Sequence, residues 1–389
     1  MTHPALADGP IFLDYNATTP VDPAVLDAAL PYLAVHFGNP SSGHHYADAP
    51  RAAVARARDQ LAELLGAQPQ EIVFTGGGSE ADTLALRGAA LAAPTGRRAV
   101  ITLPTEHPAV LKACHSLQAE GFVVTHLPVD QFGRVDPADL QAGITGATAL
   151  VSIAYGNSET GTLQPISQLS AIARAHGAVF HTDAAQAVGK VALDVDELGV
   201  DLLTVVGHKM YAPKGVGALY IRTGVPMQPI IHGGGQEHGL RAGTENVAFI
   251  AALGQAAALA AAELPGSTHR LAGLRDLLHH ELQRLLLDRV HLNGHPTQRL
   301  PGTLNVSIDG IHGRALLAAL PELAASTGSA CHEGVDTPSE VLLAMGLPAD
   351  RASAALRLSL GRWTTIDDVH RAARLISQQV TAPLTSTPV

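Results

Sequence analysis

Between residues 70 and 225, short apolar runs alternate with longer stretches in which apolar residues recur every three or four positions. Seven runs read as strands: EIVFT (71–75), AVITL (99–103), FVVTHL (122–127), ALVSIAY (149–155), AVFHTDA (178–184), LLTVVG (202–207) and GALYI (217–221). Several are apolar at consecutive positions, as strands covered on both faces must be, and helical patterns separate them. The alternation predicts a parallel sheet flanked by helices. Beyond residue 245 the texture changes. An Ala/Leu-rich helical region runs to about residue 287, and the strands TLNVSI (303–308) and LRLSLG (356–361) then mix with helices. The predicted fold is α/β: a large, mostly parallel seven-stranded domain over 16–258, and a small α+β domain formed by 1–15 and 259–389. No period of 20 to 50 residues repeats, and TAPLTSTPV reads as a frayed tail.

Composition narrows the partners. With 46% apolar and 15% charged residues, the 389-residue chain can bury a large core and is not of the disordered class. A net charge of −10 leaves no basic stripe for phosphates, which excludes nucleic acid as the main partner. The two cysteines, Cys114 and Cys331, are too few for a disulfide framework and suit a reducing cytoplasm. MTHPALADGPIFLDY lacks the basic and apolar regions of a signal peptide. VAFIAALGQAAALAAAEL is mostly alanine and carries Gln255, so it is expected to be a buried helix and not a membrane span.

The chemistry concentrates where strands end. TGGGSEADT follows the first strand and opens a helix at Gly78 and Ser79. PTEHPAV after the second carries His107, and GNSETGT after the fourth carries Asn157 and Ser158. HTDAAQ holds Asp183 and Gln186, and VVGHKMYAPKG holds His208 and Lys209. Ligands bind at the C-terminal ends of strands in open parallel sheets, so these groups can converge. A phosphate cradle, an aromatic histidine, a carboxylate, an amide and a lysine are the parts that hold pyridoxal 5′-phosphate. Helix-terminal N–H groups and the Ser79 hydroxyl suit a phosphate. Asp183 suits the pyridine nitrogen, Gln186 the phenolate oxygen and His107 the ring face. Desolvation at a strand end favours the neutral, nucleophilic amine of Lys209. Each item also has a plain reading: a common Gly turn, a helix cap for Asp183 or His107, a surface lysine. Lys214 is a rival, but between Pro213 and Gly215 it is expected to face solvent.

Three further features stand out. ASTGSACHE sets Cys331 among small residues beside His332, where a reactive thiol is expected, whereas Cys114 on a helical pattern reads as a structural core residue. Arg357, inside an apolar run, needs an anion; a substrate carboxylate and an internal salt bridge both satisfy it. HGGGQEHGLRAGTEN contains His232, Glu237 and His238 but lacks helical metal-ligand spacing, so no metal is expected. Its glycine loop is expected to reach across a subunit boundary and offer the Thr244 hydroxyl.

FLDYNATTPVDPAV, FGNPSSGHHY, EIVFTGGGSEAD, TEHPAV, HTDAAQAVGK, GHKMYAPKGVGALY, GGGQEHGLRAGTEN, GSAC and RLSLGR, in this order from about residue 11 to 365, resemble the NifS/IscS-type cysteine desulfurases. These are pyridoxal-phosphate enzymes of fold type I in the class V aminotransferase group. The resemblance implies Lys209 as the Schiff-base lysine, Asp183, Gln186 and His107 around the ring, and Gly78, Ser79, His208 and the other subunit's Thr244 at the phosphate. Arg357 and Asn157 would meet the substrate L-cysteine, Ser158 the ring and substrate, and Cys331 would accept sulfur as a persulfide. It implies a cytoplasmic homodimer that yields alanine and passes sulfur to an acceptor such as an iron–sulfur scaffold protein, for cluster or thio-cofactor synthesis. Ser158 and Val206 depart from the family pattern, which usually has asparagine and serine there. Two other readings follow from the same residues: a selenocysteine lyase or other class V enzyme, and a degenerate, non-catalytic sulfur carrier.

Overall fold

The computed structural model describes residues 3–328 and 337–382. Twelve strands are found among them. β1 (Ile11–Phe12) precedes the seven strands of the large sheet: β2 (Ile72–Thr75), β3 (Ala99–Thr102), β4 (Val123–His126), β5 (Thr148–Ser152), β6 (Val179–Asp183), β7 (Leu202–Val206) and β8 (Gly217–Ile221). Their spatial order is β2-β8-β7-β6-β5-β3-β4. Only β8 runs antiparallel to its neighbours, so β2 and β3 to β7 all point the same way. All seven strand expectations land within one to three residues of these bounds. β9 (Val290–Asn293), β10 (Thr303–Ile308) and β12 (Ala355–Ser359) form a small antiparallel sheet, and β11 (Leu323–Ala324) pairs with β1.

Period-2 alternation puts two cores on the two faces of the large sheet. Ile72, Phe74, Ile101, Val151, Leu203, Val205 and Tyr220 face one core, with helices Pro23–Ala34, Asp48–Leu65 and the start of Val247–Leu286. Val73, Val100, Leu150, Leu202 and Leu219 face the other, under the helical run from Gly78 to Ala92 and helix Pro108–Ala119. Every residue of β5 and β7 is buried, as expected of strands covered on both faces.

Helix Val247–Leu286 links this unit to a third core. Ala248 to Ala260 pack in the first core, whereas Leu271, Leu274, Leu278, Leu282 and Leu286 join β10, β12 and helix Ile366–Thr381. The helix is long and apolar enough to cross a membrane by length and composition alone, but half of its most apolar window is buried inside the protein. Cys114 is buried too, which pushes its thiol up to about 12 and fits the structural role expected for it.

Helix entry follows one recipe. Asp22, His107 and Asp136 each cap a helix whose next residue is proline, and each side chain accepts the N–H two positions on. Proline at that first position loses nothing, because its missing N–H has no intrahelical partner.

Candidate active site

The C-terminal ends of β2, β3, β5, β6 and β7 open on one edge of the sheet, and a cavity of about 370 Å³ lies there. Gly78, Ser79, His107, Asn157, Ser158, Asp183, Gln186, His208, Lys209 and Arg357 all line it. Ten of the twelve site residues read from the sequence are thus in one place. Thr244 is exposed and does not line this cavity, and Cys331 lies outside the described residues. Gly328 and Thr337, which bracket residues 329–336, both line it.

The β2 end forms a cradle because glycine is required there. Gly77 has φ +143°, which side-chain-bearing residues rarely adopt, and a Cβ on Gly78 would lie 2.6 Å from Val206 Cγ2. The first intrahelical bond after it runs from Ala81 N–H to Gly77 O, so the N–H groups of Gly78, Ser79 and Glu80 precede the helical ladder. Val206 fills the space against Gly78 with methyl groups where a serine would offer a hydroxyl.

Past β3, His107 caps its helix, as one reading foresaw, and lines the cavity. Its Nδ1 accepts the Ala109 N–H at 3.1 Å, which leaves Nε2 to carry the proton of the neutral ring, while the ring borders the cavity. Burial lowers its pKa; Asp183 opposes that shift and Lys209 adds to it. Donor atoms of His107, Asp183 and Asp82 lie within 4.8 Å of one another. Glu106 is close by, its carboxylate bonded to Ala154 N–H at 2.9 and 3.1 Å. Burial pushes Glu106 up to about 8, with the Asp183 charge adding to the rise. Asp82 is raised as well, first by burial and then by Asp183, and its Oδ1 is a buried atom with no hydrogen-bond partner. Like charges packed this closely disfavour one another, so burial and repulsion favour the protonated forms of Asp82 and Glu106.

The turn after β7 presents the lysine. Gly207 accepts N–H bonds from Met210 and Ala212, and a Cβ on it would lie 2.8 Å from Val216 O. Lys209 Nζ donates to Asn16 O at 2.6 Å and Ala17 O at 2.7 Å. Gln186 Nε2 donates to the same Asn16 oxygen at 2.9 Å. Beside the lysine, His208 meets Thr18 Oγ1 at 3.2 Å, and burial together with the Lys209 charge lowers its pKa to about 4. Lys214 is exposed, as expected of the rival.

From the small sheet, Arg357 is buried on β12. Its Nη2 donates to Asp14 at 2.8 Å and its Nη1 to Gly328 O at 2.8 Å and Ser158 O at 3.3 Å; Nε has no hydrogen-bond partner. The internal salt bridge foreseen as one alternative therefore exists, yet the residue still lines the cavity. Asn157 works largely for its own loop: it donates to Thr105 O and accepts from Glu159 N–H and Thr160 N–H. In the glycine loop, Arg58 takes both oxygens of Glu237, which also accepts Phe74 N–H.

Among the polar residues that line the site, Asp82, Glu106, Asn16 and Glu159 were not singled out from the sequence. Asp82 stands three residues after Ser79 and Glu106 directly before His107, so helical spacing and adjacency were available signals. Asn16 stands in the quoted FLDYNATTP. Glu159 is buried against Gly328, with burial raising its carboxyl to about 7; nothing local marks it.

Comparison with known proteins agrees with this geometry. The aminotransferase class-V family model matches residues 11–372. Cysteine desulfurase IscS of Dictyoglomus turgidum is 46% identical over 362 residues, 92% of each chain. Cysteine desulfurase IscS of Methanosarcina thermophila is 46% identical over 95% of this chain and 92% of its own. Among solved structures, a NifS-like protein superposes with TM-score 0.89 at 34% identity, covering 95% of this chain and 98% of the other. SspA in complex with cysteine superposes at 0.80 and 35% identity, over 91% and 99%.

Proposed function

Because the chain belongs to the aminotransferase class-V family, we propose that it is a homodimeric, pyridoxal-phosphate-dependent cysteine desulfurase. It converts L-cysteine to alanine and passes the sulfur through Cys331 to an acceptor protein, such as an iron–sulfur scaffold, in the cytoplasm. The observation that carries this reading is the convergence of Lys209, Asp183, Gln186 and His107 in one cavity whose rim, at Gly328 and Thr337, flanks the segment containing Cys331.

The residues fit the cofactor. A cradle that a Cβ on Gly78 would fill, with N–H groups preceding the helical ladder, suits its phosphate. Asp183, which lines the cavity at the end of β6, suits a protonated ring nitrogen. When bound, pyridoxal phosphate supplies an aldehyde for the Lys209 or substrate amine and a ring that accepts electrons from Cα. His107, its Nδ1 held by Ala109 N–H, would exchange a proton at Nε2. Lys209 would take the Cα proton. Arg357, which lines the cavity, holds the substrate carboxylate, with Asn157 and Ser158 beside it. The Cys331 thiolate attacks the substrate sulfur: an S–S bond forms, the C–S bond breaks, and the carbon keeps the electron pair and takes a proton.

The switch of core between Ala260 and Leu271 supports a large domain of 16–258 and a small one of 1–15 and 259–389. Exposed Leu26, Leu30, Leu33, Phe37 and Tyr46 form an apolar face that a second copy would cover, and exposed Thr244 is free to serve the partner's phosphate site.

Alanine and sulfide formed from cysteine test the assignment. Cys331→Ala should keep a borohydride-reducible yellow chromophore and yield no sulfide; Lys209→Ala should lose the reducible chromophore. Sulfide release by Cys331→Ala at the parental rate would refute the proposed sulfur path.

A further inference from the structure

A second cavity, of about 450 Å³, lies behind the first and shares Asn16 and Lys209 with it. Lys190 borders it and has no part in the chemistry above. Its position is built with some care. Gly189 adopts φ +71°, and a Cβ on it would lie 3.0 Å from Met210 and 3.1 Å from Ala260, so the chain passes close to the long helix just before Lys190. Thr268 of that helix donates to Lys190 O at 3.0 Å. The side chain then turns towards the site, and Lys190 Nζ donates to Gln186 Oε1 at 2.5 Å.

We infer that Lys190 is a positioning residue: it grips Gln186 Oε1, fixes which end of the carboxamide meets the ligand, and places a second amine behind Lys209. The inference deepens the proposed function and rests on it. An amide can present either its donor or its acceptor end, and the two ends differ little in shape. An amine can only donate to the oxygen. With Oε1 held by Lys190, Nε2 points at the Asn16 oxygen, where Lys209 Nζ also binds. Gln186 therefore offers N–H donors at the place where a phenolate oxygen needs them. A flipped amide would set oxygen against oxygen.

The second consequence is electrostatic. Burial, then the charges of Lys209 and Arg357, lower the Lys190 pKa to about 7. Repulsion is mutual, so Lys190 also disfavours a positive charge on the Lys209 nitrogen. The other charged or titratable groups around it are Glu263 and Arg270 on the long helix, Arg362 after β12, and Tyr15 and Tyr211. Arg362 is paired with Asp22 and Glu263, and Arg270 donates to the backbone oxygens of Gly361, Arg362 and Thr364. Lys190 is thus the cation of this cavity that acts directly on the ligand-binding amide.

The test is a pH titration of the visible absorbance of full-length protein loaded with pyridoxal phosphate, with Lys190→Met, Lys190→Arg and Gln186→Ala variants. Lys190→Met removes the neighbouring cation and frees the amide, and both changes favour the protonated nitrogen. Its midpoint should move up by about one pH unit. Lys190→Arg keeps the charge and a donor and should return most of that shift. With Gln186 already replaced by alanine, Lys190→Met should move the midpoint by clearly less. A parental midpoint in Lys190→Met, or a shift of the same size without Gln186, overturns the inference alone. A parent protein that takes up no chromophore overturns the proposed function and this inference with it.

Discussion

The cavity has two unlike walls. Asp183 ends β6, and Lys209, Gln186 and His107 reach it from turns just past the ends of the large sheet's strands, whereas Arg357 reaches it from within β12, in register with Asn305 of β10. The loop wall gathers like charges: Asp82, Glu106 and Asp183 crowd together, and burial with mutual repulsion raises the first two. The β12 wall is neutralised in place, since Asp14 balances Arg357 at 2.8 Å. The sheet's C-terminal edge gathers acids that compete for protons, and β12 supplies a cation already paired.

Arg357→Lys tests the fixed wall and should have the largest effect of three changes. An ammonium cannot reproduce the fork, so KM for cysteine should rise roughly 10- to 100-fold with a smaller change in kcat. Steady-state alanine formation measures both, and an unaltered KM would remove the arginine from substrate binding.

Glu106→Gln tests the crowded wall. The folded state holds the Glu106 proton up to about pH 8, while an ordinary carboxyl releases it near 4.5. The unfolded chain thus binds fewer protons in this window, and this group's contribution to stability falls as pH climbs from 4.5 to 8. Gln keeps an acceptor for Ala154 N–H without the charge. Its melting temperature should exceed the parent's by roughly 2–4 °C at pH 8 and converge with it near pH 4.5. A difference independent of pH would show that Glu106 is not the strained group.

Val206→Ser makes the smallest change, where strand and loop meet. A hydroxyl there adds one donor to the proposed phosphate cradle, and the dissociation constant for pyridoxal phosphate should fall roughly three- to tenfold. Fluorescence titration of the apo-protein reads it; an unchanged constant would place the phosphate away from Val206.

The two walls were not equally legible. Each residue of the first wall ends or follows a run read as a strand, and ligand groups belong at the C-terminal ends of parallel strands, so Lys209 and Asp183 were legible from the sequence. Arg357 could be recognised only as a cation in need of an anion. Whether that anion was internal depended on Asp14, 343 positions away. Small elements escaped for a similar reason: β1 and β11 are two residues each and exist only because they pair with one another.

From the sequence alone came the strands of the large sheet, the long buried helix and the list of groups able to do chemistry, because periodicity and turn residues act over a few neighbours. The tertiary structure alone decided that Lys209 and Gln186 share the Asn16 oxygen, that Asp82 and Glu106 crowd Asp183, and that Lys190 stands behind them. Those relations join Asn16 to residues 170 and 193 positions further on. Over such separations no local pattern constrains the distance between two side chains; only the closed packing of the cores does.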